Sequence, residues 1–240
     1  MSTANQKSMQ DRQRQIMQAL VEAYIAYHEP ISSGFLSRHF QDAWSSATMR
    51  NDLADLLRQG YVKKMYCSSG NVPTAKAYQF FVDAVLDLDH AQKPESRDGG
   101  FQTLDDAARF VADRTGNMNV LIDESMNMVL DGIEELFAQP DFSTREEYRA
   151  LARMIDEIQD RRLELFRAFL EREPSVFVGA ASPMASGNVE TAMFSAGVRT
   201  ADGTRVVSIL VGPARMPYRR NWDAFWSARN RLARSKPRSV

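Results

Sequence analysis

The first eighty residues contain three short amphipathic segments in an order that few folds can accommodate. Apolar residues recur at three- and four-residue steps from Asp11 to Tyr27, around Phe35 to Phe40, and from Ser46 to Gln59. This spacing predicts three helices. Ser45 can cap the third helix and Gly60 follows its end, so both of its limits are marked. The side chains predicted to face inward from it are Met49, Leu53, Leu56 and Leu57.

A strand pattern follows the third helix directly. Residues 61–66 have the sequence YVKKMY, Ser68 to Asn71 supply turn residues, and Val72 begins a return strand. We therefore predict a two-stranded hairpin, with a further helix from about Thr74. Three helices followed by a hairpin is the order of a winged helix-turn-helix, whose third helix fits the major groove of DNA.

The predicted third helix begins with short polar side chains that suit a nucleic acid. Hydroxyls and helix amides bind phosphate oxygens, whereas Arg can make two hydrogen bonds to guanine and Asn two to adenine. The predicted DNA-binding residues, hairpin and following helix included, are Ser45, Ser46, Thr48, Arg50, Asn51, Lys63, Lys64, Asn71, Thr74 and Lys76. The pattern leaves two alternatives open, because many winged helices bind protein and Arg50 can instead pair with a neighbouring acid.

Charge is distributed unevenly along the chain, although the formal net charge is only −1. Residues 1–80 carry a net +3, residues 81–213 a net −11 and residues 214–240 a net +7. Basic ends around an acidic middle favour a polyanion-binding role. The simpler interpretation is that the charges are scattered over solvated faces, and that the arginines of the C-terminal helix pair with the acidic middle.

The second half of the chain mixes predicted helices and strands after a predicted linker at residues 90–100, which is rich in turn and charged residues. The predicted helices are Leu104 to Thr115, Met128 to Phe137, a long helix capped by Ser143 or Thr144 that continues to Phe169, and Tyr218 to Leu232. The predicted strands are Met118 to Ile122, Val176 to Val178, Thr191 to Val198 and Arg205 to Val211.

Residue types that catalysis and metal binding need do not occur in usable spacing. The three histidines lie far apart, Cys67 is the only cysteine, and paired acids such as Glu134 and Glu135 point in different directions on a helix. We therefore expect no enzyme activity, no metal and no cofactor. No apolar run approaches the ~20 residues that span a bilayer, and the N-terminus is polar, so we expect a cytoplasmic protein without a membrane partner.

Three further features have two interpretations each. Cys67 is either an ordinary thiol, which we favour, or a redox switch. The many methionines are better explained as flexible core filling than as a ligand site. Trp222 and Trp226 are four residues apart on one helix face, which predicts a packing or dimer surface.

Two sets of motifs resemble the HrcA family of heat-inducible transcription repressors. The first set is DRQRQIMQALVEAYIAYHEPISS, SSATMRNDLADLLRQGYV and SGNVPTAKAYQFFVD. The second set is DGIEELFAQPDFSTREEYRALARMIDE, VFVGAAS and VGPARMPY, in the same order as in the family. The resemblance covers most of residues 11–232.

The resemblance implies an α+β protein: an N-terminal winged helix-turn-helix at residues 1–89, the linker at 90–100, and a C-terminal reduced GAF-like α+β domain at 101–240. It implies a homodimer that binds double-stranded DNA at an inverted repeat (CIRCE-like) and represses chaperone operons, with a GroEL-type chaperonin as a further partner. Only residues 101–127 occupy the space where family members carry the first part of the GAF-like domain and the insertion, and this stretch is too short for both. Tyr66 and Asn71 stand where the family usually has His and Arg.

Two other functions remain as alternatives at this point. One is a ligand- or partner-responsive regulator of a different operon, for which a GAF-like domain would supply a sensor pocket. The other is a protein-interaction module whose winged helix has lost DNA binding. Genomic binding profiles distinguish the first from a heat-shock repressor, and protein capture without DNA affinity identifies the second.

Overall fold

The computed structural model describes residues 11–65, 70–85, 99–184 and 190–237. The chain forms two compact units, one within residues 1–87 and the other within residues 88–240. Some sequence predictions lie outside the described residues: Tyr66, Cys67, Ser68, Ser69, Leu86, Arg238 and positions 90–98 of the linker. In the described ranges, no helix has the length and apolarity that crossing a bilayer demands.

Among its described residues, the first unit has four helices and one short hairpin. Its elements are α1 (Asp11–Tyr27), α2 (Ser33–His39), α3 (Ser46–Arg58), β1 (Val62–Lys63), β2 (Val72–Pro73) and α4 (Ala75–Val85). The three predicted N-terminal helices are confirmed to within one or two residues. The first strand is shorter than predicted, since β1 covers two of the five described residues at positions 61–65.

One apolar face of each helix forms the core of this unit. Ile16 and Leu20 of α1, Leu36 of α2, and Met49 and Leu56 of α3 are fully buried. The amphipathic spacing therefore has the physical consequence that was expected of it. The prediction that Leu57 faces inward is wrong. Its side chain is 38% exposed, because it lies at the edge of the buried stripe rather than inside it.

The second unit consists of a five-stranded sheet and five α-helices among its described residues. Its elements are α5 (Leu104–Thr115), β3 (Met118–Asp123), β4 (Met128–Asp131), α6 (Ile133–Phe137), α7 (Arg145–Asp160), α8 (Arg162–Phe169), β5 (Ser175–Val178), β6 (Thr191–Arg199), β7 (Arg205–Pro213) and α9 (Tyr218–Ala233). Neighbouring strands are antiparallel, in the order β4-β3-β7-β6-β5. This unit is therefore an α+β arrangement.

The two faces of the sheet carry separate apolar layers. Val120, Ile122 and Ile209 pack with side chains of α6, α7 and α8 in one core. On β6, Phe194 contacts the aromatic rings of Trp222 and Phe225 from α9. Helices on both faces explain why β3, β6 and β7 are buried almost throughout.

The prediction of a helix from Met128 to Phe137 is wrong. The first part of this segment is strand β4, which pairs with β3 so that Met128 lies opposite Ile122. Gly132 then adopts a left-handed conformation with φ +87°, which separates β4 from the short helix α6. Asp123 fixes the preceding turn, because its Oδ1 accepts hydrogen bonds from the backbone amides of Ser125 and Asn127 at 2.8 and 2.9 Å.

The long helix predicted after Ser143 is interrupted. Thr144 is its N-cap and forms a capping box with Glu147, but the helix ends at Asp160, and α8 begins again after Arg161. Arg161 has φ −97° and ψ +14°, outside the helical range. The Arg161 side chain donates to the carbonyl oxygen of Pro183 at 3.1 Å and so links the break to the segment after β5.

Candidate nucleic-acid interface

The N-terminus of α3 is open to solvent and has an ordered cap. Ser45 has the extended conformation of an N-cap, and its hydroxyl accepts a hydrogen bond from the backbone amide of Thr48 at 3.1 Å. The two hydroxyls of Ser45 and Thr48 are 3.0 Å apart and hydrogen-bonded. Ser45 and Ser46 are exposed, as predicted. The positive end of the helix dipole therefore faces solvent beside two serine hydroxyls, a combination that attracts anions.

A pair of charged residues fixes the rotation of α3 against α1. Asp52 is 4% exposed and accepts two hydrogen bonds from Arg12, at 2.8 Å from Nε and 3.1 Å from Nη2. The hydrogen bonds to Asp52 raise the pKa of the Arg12 guanidinium. The sequence reasoning missed this pair, although Asp52 lies three residues after Met49 and four before Leu56 and so shares their helix face, where a carboxylate needs a charged or hydrogen-bonding partner.

Side chains that could reach a base edge lie on the opposite face of α3. Arg50, Asn51 and Ala54 are exposed. Ala54 lies four residues after Arg50 and three after Asn51, so the two polar side chains stand on either side of it, about 100° apart around the helix. Arg50 donates from Nε to the backbone carbonyl of Ser46 at 3.3 Å, a contact within its own helix rather than an ion pair. The structure thus brings Ser46, Arg50 and Asn51 to one exposed surface, and their contact with DNA stays a prediction.

The expected position of Asn71 at the tip of the hairpin is wrong. Asn71 is 6% exposed, and its backbone amide and carbonyl both bond to Ile31 at 2.8 and 2.9 Å. Its side-chain Nδ2 also donates to the Ile31 carbonyl at 3.1 Å. Asn71 therefore joins the hairpin to the segment before α2, and its backbone and side chain make their hydrogen bonds within the unit. Gly70 is required beside it, since an added Cβ would lie 2.5 Å from the Pro30 carbonyl oxygen.

Thr74 and Lys76 lie at the other end of α3 from Ser45. The Thr74 hydroxyl donates towards the carbonyls of Gly60 and Tyr61 at 2.8 and 3.0 Å. Lys76 donates to the carbonyl of Gln59 at 2.9 Å, and its ammonium lies 4.2 Å from the ring centre of Tyr61. Both residues therefore close the C-terminus of the helix. The structure does not bring them to the Ser45–Asn51 surface.

A groove of about 380 Å³ lies between α3 and the hairpin. Arg50 and Lys64 contribute cationic side chains to it, and Ser32 and Ser33 line it from the start of α2. Its remaining lining residues are Leu53, Ala54, Leu57, Gly70 and Asn71. Lys63 is exposed as well, but it does not line this groove. Sequence reasoning missed Ser33, because the contact depends on the fold and not on sequence spacing.

The basic C-terminal helix makes contacts within its own unit. Arg220 donates to the carbonyl of Arg114 at 2.8 Å, Arg229 to that of Gly197 at 3.2 Å, and Arg231 to that of Gly99 at 3.0 Å. Trp222 is 3% exposed and stacks on Trp226 with ring centres 5.9 Å apart. Trp222 thus packs within the unit and Trp226 is half-buried, so a dimer role for this face stays a prediction.

The chain matches one protein-family model over more than half of its length. The model describes the HrcA protein C-terminal domain, and the match covers residues 84–221. This range begins in α4 and ends in α9, so it includes all five strands of the sheet. The first unit lies almost entirely outside it.

Curated relatives match up to about half of the chain. A heat-inducible transcription repressor HrcA of Corynebacterium jeikeium is 42% identical over 86 residues, which are 36% of this chain and 25% of that protein. One of the same name from Bifidobacterium longum is 38% identical over 126 residues, which are 49% of this chain and 34% of that protein. The matches thus span a quarter to a third of the length of these relatives.

One solved structure has the same fold over nearly the whole chain. It is a crystal structure of a hypothetical protein, with a TM-score of 0.75 and 16% sequence identity. The superposition covers 95% of this chain and 97% of the other. At this identity the likeness concerns the fold alone.

Proposed function

Because the chain belongs to the HrcA family, we propose that it is a transcription repressor that binds double-stranded DNA. The first unit would act as a winged helix-turn-helix with α3 in the major groove. The second unit would act as a reduced GAF-like regulatory and dimerisation domain, with the boundary in the predicted linker at residues 90–100. Relatives named heat-inducible transcription repressors support this function, and we expect it to operate in the cytoplasm.

The observation that carries the proposal is the exposed surface at the start of α3. A capped helix N-terminus, serine hydroxyls, and the side chains of Arg50 and Asn51 occur together. The Arg12–Asp52 pair holds the helix so that this surface faces outward. Helix amides and hydroxyls suit phosphates, and Arg and Asn suit base edges in the major groove. No rearrangement of the unit is needed to expose them.

We propose a homodimer as the DNA-binding form. A twofold protein presents two α3 helices to two half-sites, so the operator would be an inverted repeat with half-sites whole helical turns apart. Occupying such a site at a promoter excludes RNA polymerase, and chaperone operons are the targets that the family resemblance implies. A GroEL-type chaperonin would be a further partner of the second unit.

A binding assay with two matched arginine variants tests the proposal. The full chain should retard a CIRCE-like inverted repeat, or a duplex selected from random sequence, with an affinity that falls steeply with salt. Arg50→Ala should weaken binding by about 1–3 kcal/mol if Arg50 contacts a base. Arg58→Ala is the control, since Arg58 lies two turns further along the same helix and pairs with Asp55.

Three results would count against the proposal. Failure of the full chain to retain any duplex at low salt would remove DNA binding altogether. If Arg50→Ala and Arg58→Ala lost equal DNA affinity, the arginines would act through a diffuse electrostatic effect and not through a recognition surface. Binding to a single half-site with unchanged affinity would contradict the dimer. Footprints away from chaperone promoters would keep the repressor but assign it a different operon.

A further inference from the structure

We propose that the groove between α3 and the hairpin seats one sugar–phosphate unit of the DNA backbone. Lys64 and Ser33 would bind the phosphate, and Ala54 and Leu57 would lie against the deoxyribose. This inference rests on the proposed function, because it assigns a part of the DNA to a part of the same surface. It adds Ser33, Ala54 and Leu57, which no motif in the sequence indicated.

The groove has the chemistry of a backbone unit of DNA on its two sides. Lys64 and Arg50 bring positive charge, and Ser33 brings a hydroxyl that can donate. Beside Arg50 on α3, Ala54 and Leu57 present apolar surface to the groove. A phosphate diester is anionic and its deoxyribose has apolar faces, so both kinds of surface are matched by one ligand. An inorganic anion would leave the apolar side uncovered.

Leu57 supports this assignment because it is a large apolar side chain that is left partly exposed beside the cationic side chains of the groove. The side chain is 38% exposed, whereas its neighbours Leu53 and Leu56 are buried. Counting about 100° per residue, Leu57, Arg50 and Ala54 follow one another around one flank of α3. Leu57 and Arg50 therefore both face the groove, where one ligand can contact the apolar surface and the positive charge together.

The groove has rigid walls before any DNA arrives. The paired backbone hydrogen bonds between Ile31 and Asn71 hold the segment before α2 against the hairpin. The Ser32 hydroxyl already accepts from the amide of Phe35 at 3.1 Å, so it is fixed at the start of α2. A preformed site of this kind lowers the ordering cost of binding. The phosphate would therefore also set the register of α3 on the duplex.

Two adjacent lysines provide a matched test. Lys63 and Lys64 are both exposed, and only Lys64 lines the groove. The full chain would first be used to select a duplex from random sequence. Each phosphate of one half-site would then be replaced in turn by an uncharged methylphosphonate, and affinities would be measured for the wild type, Lys64→Gln, Lys63→Gln, Ser33→Ala and Leu57→Ala. Circular dichroism would verify the helix content of each variant.

We expect one phosphate position at which the neutral replacement weakens the wild type by about tenfold, as for a hydrogen bond to a charged group. At that position the replacement should have little further effect on Lys64→Gln, a reduced effect on Ser33→Ala, which keeps Lys64, and its full effect on Lys63→Gln. Leu57→Ala should bind about threefold more weakly and keep the sensitivity to charge. The assignment would be wrong if the methylphosphonate effect disappeared in both lysine variants, or if it persisted in both. DNA binding itself would still stand. Failure to select any duplex would instead overturn the proposed function itself.

Discussion

Replacing Asp52 with Asn should loosen the first unit, because the Arg12–Asp52 pair is the charged link between α1 and α3. The carboxylate is 5% exposed and accepts two hydrogen bonds from Arg12. Hydrogen bonds to a charged group contribute about 1.5–3 kcal/mol, and removing one partner leaves the other poorly satisfied. The Arg12 side chain is 37% exposed, so water can replace the hydrogen bonds it loses. Asn also has nearly the same size and shape as the Asp52 it replaces. We therefore expect a loss of about 2 kcal/mol, towards the lower part of that range.

Amide hydrogen exchange followed by mass spectrometry measures this loss within one unit of the full chain. A change of about 2 kcal/mol corresponds to about 30-fold faster exchange in α1 and α3, while the peptides of α9 act as an internal reference. Asp55→Asn is the control on the same helix, since Asp55 is 39% exposed and pairs with the exposed Arg58. A surface pair of this kind should change exchange by about twofold. Equal acceleration in the two variants would refute the anchoring role of Asp52.

Three further predictions concern other parts of the fold. Asn71→Ala removes the buried hydrogen bond to Ile31 and should cost about 1 kcal/mol of stability in the first unit; an altered salt dependence of DNA binding would show that Asn71 contacts phosphate after all. Glu147 accepts two backbone hydrogen bonds at the start of α7, and these lower its pKa. Its folded pKa thus lies below the unfolded one, so its stabilisation is present above the unfolded pKa and is lost as the pH falls through the folded value. Glu147→Gln should lose less stability than the wild type in urea unfolding when the pH is lowered from 7 to 4, and an identical acid response would contradict this. Gly197→Ala would drive a methyl group into the Leu170 carbonyl and should destabilise the second unit by about 1–3 kcal/mol, measured as a lower urea midpoint; an unchanged midpoint would mean that the end of α8 moves freely.

The sequence predicted the features that depend on contacts within three or four residues. Ser45 and Thr144 cap their helices through the amides three residues ahead, and Gly60 adopts φ +74° just after α3. Such signals are local, because the donor, the acceptor and the backbone conformation all belong to one turn of chain. They place helix limits without any knowledge of the tertiary structure.

Predictions failed where a distant partner decides the outcome. Met128, Leu130 and Ile133 have a spacing that suits either a helix or a strand, and pairing with β3 makes the first two a strand. Asn71 suited a hairpin tip by position alone, yet its partner Ile31 is 40 residues away. Long-range pairing of this kind has no counterpart in local periodicity, so the sequence indicated the residue types and the fold determined their use.

Helix α3 contains two exceptions to the binary pattern, and its rotation explains both. Taking about 100° per residue, Met49, Leu53 and Leu56 form the centre of the buried stripe. Asp52 and Leu57 lie on the two flanks of that stripe, where an acid and a leucine would normally be exposed and buried, respectively. Instead Asp52 is turned into the fold by Arg12, and the same rotation moves Leu57 outward to the groove. If this coupling is correct, Asp52→Asn should reduce the contribution of Leu57 to DNA affinity, whereas Asp55→Asn should leave it unchanged.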